Sequence, residues 1–153
     1  MTRKPIELLG LSHICIAVSD MEVSLAFYRD LLGLEVFFDL QLEVPAMETV
    51  TGETGPVMHG GAVVELLDFA HRDLQPQRRD AKLGCPNVSL SVRDIDATAA
   101  AITAAGIQPE QQPVDIGGVR MFFVRDPDGT PVEFVSFPNG ERNSAQMWGY
   151  TGQ

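Results

Sequence analysis

Two pairs of residues combine reactive chemistry with matched placement. His13 opens the stretch "HICIAVSDM", and Asn87 opens its partial echo, "NVSLSVRDI". Glu65 stands in "AVVELLDF" and Glu133 in the corresponding "TPVEFVSF". An imidazole in a strand can ligate a metal, exchange a proton near neutral pH, or serve as a hydrogen-bonded core group. A carboxylate among apolar neighbours costs several kcal/mol to bury without a cation or donor network. Two of them in repeat-equivalent strands call for such compensation. A bound metal meets that demand, and so does a metal-free polar cluster.

These residues need elements to position them, and the echo supplies the plan. Each copy starts with a strand of alternating side chains, followed by an aspartate that can cap a helix: Val18, Asp20 and Met21 correspond to Val92, Asp94 and Ile95. "DMEVSLAFYRDLLG" carries Leu25, Tyr28, Leu31 and Leu32 at helical spacing and stops at Gly33. "DIDATAAAITAAG" is Ala-rich and stops at Gly106. Between helix and last strand, the first copy offers "LEVFFDLQLEV" and "GPVMHGG", the second "IQPEQQPVDI" and "VRMFFVRDPDGT", whose "DPDG" is a hairpin turn. Each half reads β-α-β-β-β. The expected organisation is one domain over 1–153, with an N-terminal module at 8–71, a polar linker at 72–84, a C-terminal module at 85–137 and a tail at 138–153. Alternation sends Ile14, Ile16 and Val18 to the core and His13, Cys15 and Ala17 to the other face, and likewise separates Val88, Leu90 and Val92 from Asn87, Ser89 and Ser91. Glu65, Leu67 and Phe69 share a face, as do Glu133, Val135 and Phe137.

The bulk numbers narrow the partners. A chain of 153 residues with 44% apolar side chains can build a real core. Its formal charge of −10, from 11 basic and 21 acidic residues, argues against nucleic acid and anionic membranes. Two cysteines, Cys15 and Cys85, make neither a disulfide framework nor a zinc knuckle, so a cytoplasmic location is expected. Glu7 and His13 interrupt the apolar run near the N-terminus, and we expect no targeting or membrane-spanning segment.

The duplicated unit, with "HICIAVSDMEVSLAFYRDLLGLEV" in front, "VVELLDF" before the linker and "FFVRDPDGTPVEF" at the end, resembles the vicinal oxygen chelate superfamily. That superfamily includes glyoxalase I, methylmalonyl-CoA epimerase, extradiol dioxygenases, fosfomycin-resistance enzymes and metal-free bleomycin-binding proteins. The resemblance covers roughly residues 8 to 137. It implies an α+β fold in which two tandem βαβββ modules form a half-barrel, with His13, Glu65, Asn87 and Glu133 at the metal-ligand positions of its concave face. Relatives usually place a second histidine at the third position, where this chain has Asn87. A neutral amide oxygen is a poorer ligand than imidazole for a borderline metal, so the set favours Mn, Mg, Fe(II) or Ni over tightly held Zn, or a weak site, or no metal.

On this resemblance, three functions compete. The first is a metal-dependent isomerase, epimerase or lyase acting on a small carbonyl compound, in which Glu133 or Glu65 moves the proton beside the carbonyl. Cys15, Ala17, Leu67, Phe69, Val135 and Phe137 would line a partly apolar pocket, with Ser89 and Ser91 as polar contacts. The second is a binding protein that sequesters a hydrophobic antibiotic or natural product. The third, a ring-cleaving dioxygenase, lacks the second histidine of a two-His, one-carboxylate iron site. His59 reads as a solvated loop residue, His71 has no assigned role, and Glu43 and Glu48 are candidate second bases. Trp148 and Tyr150 in the tail suggest aromatic anchors over a pocket or a subunit boundary, and a homodimer is expected.

Overall fold

A computed structural model describes residues 12–42, 50–57, 63–68 and 87–149, with the backbone course alone given for 37–42 and 50–57. The chain divides into two compact units, residues 1–74 and 75–153. The first contains β1 (His13–Val18), α1 (Met21–Leu25), β2 (Glu35–Leu42), β3 (Val50–Val57) and β4 (Val63–Asp68). The second contains β5 (Val88–Ser91), α2 (Ile95–Ala104), β6 (Val114–Ile116), β7 (Val119–Arg125), β8 (Pro131–Ser136) and a helical turn, α3 (Ser144–Met147). The expected βαβββ order therefore appears in both units.

Each unit folds into a four-stranded sheet with the same topology, β1-β4-β3-β2 and β5-β8-β7-β6. In each, the first and last strands are parallel neighbours and the remaining pairs are antiparallel. The register places Cys15 opposite Glu65 in one unit and Ser89 opposite Glu133 in the other. A parallel pair cannot be closed by a tight turn, so the helix and two further strands lie between its members in sequence.

Period-2 burial fixes which face of each strand meets the helix. Ile16, Val18, Val64 and Leu66 are buried in the first unit together with Leu25, Phe27, Tyr28 and Leu34. Val88, Leu90, Phe122, Val124, Val132 and Phe134 are buried in the second with Ile95 and Ile102. Phe122 and Phe134 stack with ring centroids 5.1 Å apart. A one-residue slip of any of these strands would turn its core set toward the opposite face, so the apolar pattern also pins the residues of that opposite face.

Both helices start at the expected aspartates. Asp20 Oδ1 accepts from the Val23 amide at 3.0 Å and Asp94 Oδ1 from the Ala97 amide at 2.9 Å, each bond worth about 1 kcal/mol by analogy with other N-caps. At the far ends, Gly33 and Gly106 take φ of 74° and 84°, a region that side-chain-bearing residues avoid. The "DPDG" turn joins β7 to β8, with Asp126 Oδ1 accepting from the amides of Asp128 at 3.0 Å and Thr130 at 2.7 Å.

Four local features differ from the sequence reading. The first helix does not stay α-helical to Leu32: after Leu25 it widens into a π-helical segment, Ala26–Leu31, with the Leu32 amide bonded to the Phe27 carbonyl. The wider turn brings the consecutive Phe27 and Tyr28 both into the core, where they meet edge to face at 4.9 Å. Next, β3 begins at Val50, several residues before "GPVMHGG", because its ladder with β2 extends from Val57 back to Val50. Third, β6 is only three residues long. Pro109 and Pro113, lacking amide donors, leave little of "IQPEQQPVDI" able to pair. Finally, the tail forms a short helical turn capped by Asn143, and Trp148 just beyond it is 82% exposed.

Candidate metal centre and carboxylate pairs

In the first unit, β1 presents His13 and Cys15 on one face, two residues apart, and β4 brings Glu65 directly across from Cys15. The Nδ1 of His13 lies 3.5 Å from Glu65 Oε1, and the Cys15 thiol donates to Glu65 Oε2 at 3.4 Å. Ser12 Oγ stands 3.0 Å from the same His13 nitrogen. One potential ligand atom from each of His13, Cys15 and Glu65 lies within 4.8 Å of the others. Glu65 is the most sheltered of the three, its side chain 14% exposed against 41% for His13. Imidazole nitrogen, thiol sulfur and carboxylate oxygen are all ligands for a divalent transition metal, so the donor set fits such an ion.

The second unit repeats the arrangement with different chemistry. Asn87 donates its side-chain amide to Glu133 Oε2 at 3.3 Å, and Ser89 occupies the position opposite Glu133 that Cys15 occupies opposite Glu65. Asn87 and Glu133 are half-buried, whereas Ser89 and Ser91 are exposed. Together, the two units display two similar carboxylates with different partners: one faces a nitrogen base and a thiol, the other an amide and a hydroxyl.

The other residues singled out in the sequence fall into three groups. Ala17 is exposed on the His13 face of β1, and Leu67 and Phe137 are half-buried. Val135 is 8% exposed and belongs to the core of its unit. Phe69, His59, His71, Glu43, Glu48, Tyr150, Cys85 and the 72–84 segment lie outside the described residues. One neighbour escaped the sequence reading: Phe123, half-buried and directly opposite Glu133 on β7. Its signal was present, since the "DPDG" turn sets the β7–β8 register and that register leads from Arg125 and Pro131 to Phe123 and Glu133.

Repeated βαβββ units with a carboxylate on the last strand of each define the vicinal oxygen chelate class of protein. The chain belongs to the Glyoxalase/Bleomycin resistance protein/Dioxygenase superfamily, which it matches over residues 10–134. It is 36% identical over 130 residues to the Escherichia coli protein YaeR, itself uncharacterised, covering 82% of this chain and 97% of that one. It is 28% identical over 125 residues to the lactoylglutathione lyase of Haemophilus influenzae, covering 80% of this chain and 89% of that one. A superfamily member of known structure from Sphaerobacter thermophilus superimposes with a TM-score of 0.67 at 28% identity, over 84% of this chain and 98% of that one. Members of the superfamily generally use a divalent metal. Among the described residues, no helix is long and apolar enough to cross a membrane.

Proposed function

We propose that this protein is a metal-dependent isomerase, epimerase or lyase that moves a proton beside the carbonyl of a small substrate, with His13, Glu65, Asn87 and Glu133 as metal ligands. The observation that carries this reading is the pairing of His13 with the sheltered Glu65 carboxylate at 3.5 Å, repeated in kind by Asn87 and Glu133 at 3.3 Å. A bound divalent ion would polarise the substrate carbonyl and stabilise the negative charge that develops on its oxygen. Glu133 accepts the proton from the adjacent carbon and returns it, and Glu65 is the second carboxylate able to do so. Phe123, across from Glu133, shields that proton from water. Ser89 and Ser91 supply hydroxyls to substrate oxygens, and Cys15, Ala17, Leu67 and Phe137 supply its apolar surroundings.

The experiment is elemental analysis of protein purified without a polyhistidine tag, followed by assay of lactoylglutathione lyase activity and of deuterium exchange beside the carbonyl in small 2-oxo compounds. Stoichiometric metal with exchange that Glu133→Gln abolishes supports the reading. Metal content and exchange unchanged in Glu133→Gln would reduce Glu133 to a structural role.

A second reading, metal-free sequestration of a hydrophobic antibiotic or natural product, draws on the same pair. Asn87 already provides Glu133 with a donor, so that carboxylate has compensation without a cation. Tight binding of an aromatic ligand by protein free of metal would favour it.

A further inference from the structure

We propose that Cys15 is a metal ligand, and that His13, Cys15 and Glu65 form a nitrogen, sulfur and oxygen triad in the first unit that selects a thiophilic divalent ion, zinc or cobalt, over manganese or magnesium. The proposal shares His13 and Glu65 with the function proposed above and rests on that reading for those two residues alone. Three observations carry it. Ligand atoms of the three residues fall within 4.8 Å of one another, so modest side-chain rotation closes them on an ion about 2.0 to 2.3 Å from each. The parallel register holds Cys15 opposite Glu65, and the thiol already points at that carboxylate, with Sγ 3.4 Å from Oε2. The equivalent position of the second unit is Ser89, a hydroxyl opposite Glu133, so the duplicated scaffold keeps its carboxylate while the sulfur is peculiar to the first unit.

Ligation breaks the Cys15 S–H bond, forms a metal–sulfur bond and releases the thiol proton to solvent; no electron is transferred. A thiolate changes the metal preference that four nitrogen and oxygen ligands would set. Soft sulfur favours zinc, cobalt and their neighbours, whereas manganese and magnesium prefer oxygen sets. Exposure of Cys15 leaves the sulfur reachable by an entering ion.

The test is cobalt titration of chelator-stripped protein in a Cys85→Ser background, which leaves Cys15 as the one thiol of the chain. The expected result is a sulfur-to-cobalt charge-transfer band in the near ultraviolet that disappears in Cys15→Ser and in His13→Ala, with zinc affinity roughly a hundredfold lower in Cys15→Ser. Circular dichroism shows whether each variant is folded, and manganese affinity, expected to stay the same in Cys15→Ser, separates loss of the sulfur from loss of the site. A band that survives Glu133→Gln and Asn87→Ala with unchanged affinity supports the triad while removing the four-residue ligand set. Cobalt bound without the band, or with equal affinity in Cys15→Ser, overturns the triad and leaves the four-residue set standing. Failure of folded protein to bind cobalt or zinc at micromolar concentration overturns both.

Discussion

The Asn87 amide bonds Glu133 at 3.3 Å in the place where, one module earlier, His13 faces Glu65 at 3.5 Å. The backbone framework is duplicated, but the two carboxylates meet different chemistry: a nitrogen that can bind a metal in one unit, and in the other an amide whose nitrogen can only donate.

If Asn87 stands at a ligand position, Asn87→His supplies the second imidazole. Replacing a neutral oxygen by imidazole should tighten zinc or nickel binding on the order of tenfold, about 1.4 kcal/mol. His13→Ala should undo the gain. Titrating zinc, nickel and manganese into wild type, both single variants and the double variant checks this, and equal affinities in all four would remove His13 and Asn87 from the ligand set.

The bidentate pair between Arg120 on β7 and Asp96 in the first turn of α2 ties helix to sheet, with Nη2 donating to Oδ1 at 2.9 Å. Hydrogen bonding from Arg120, aided by its charge, holds the Asp96 carboxyl below the usual carboxylate range. Because its folded value is depressed, its contribution is present above the unfolded pKa of about 3.9 and is lost as pH falls through the lower folded value. Urea midpoints of wild type and Asp96→Asn should therefore differ at pH 6 and converge toward pH 2, by a small margin since both groups are solvated. A difference that persists unchanged at the acid end would assign it to helix propensity instead.

Phe122 is fully buried and stacked on Phe134, so Phe122→Ala should leave a cavity and cost about 3 to 5 kcal/mol of stability. Urea unfolding followed by circular dichroism measures it. A cost below about 1 kcal/mol would mean that the second unit's core collapses around the gap.

Superfamily proteins often form dimers, and Trp148, 82% exposed, is a large apolar side chain at the surface of its unit. We expect a dimer at micromolar concentration whose dissociation constant rises in Trp148→Ala, as removal of a buried interface aromatic does. Light scattering of both proteins reads the outcome. A monomeric wild type ends the claim, and a dimer indifferent to Trp148→Ala moves the contact elsewhere.

Much of this architecture was legible in the linear chain because its signals are local. Alternation in "HICIAV" and "VSLS", aspartates before each helix, glycines after them and the "DPDG" turn depend on neighbours a few residues apart, and physics of that range is written directly in residue order. The same locality revealed the duplication and set Asn87 in the place that His13 holds in the first copy; that relatives usually carry a histidine there came from the family resemblance. The π-helical widening at Ala26–Leu31 was not legible, because it follows from the need to bury Phe27 and Tyr28 together against a sheet made by distant strands. Nor was the partnership of Cys15 with Glu65, fifty residues apart. A period-2 pattern states which face a side chain occupies, but the residue opposite depends on strand order and parallel register, and those emerge only when the helix crosses the sheet and the ladder closes. Cys15 was thus recognisable from the sequence as standing on the strand face opposite the core, while its place beside a carboxylate and an imidazole was decided by tertiary structure.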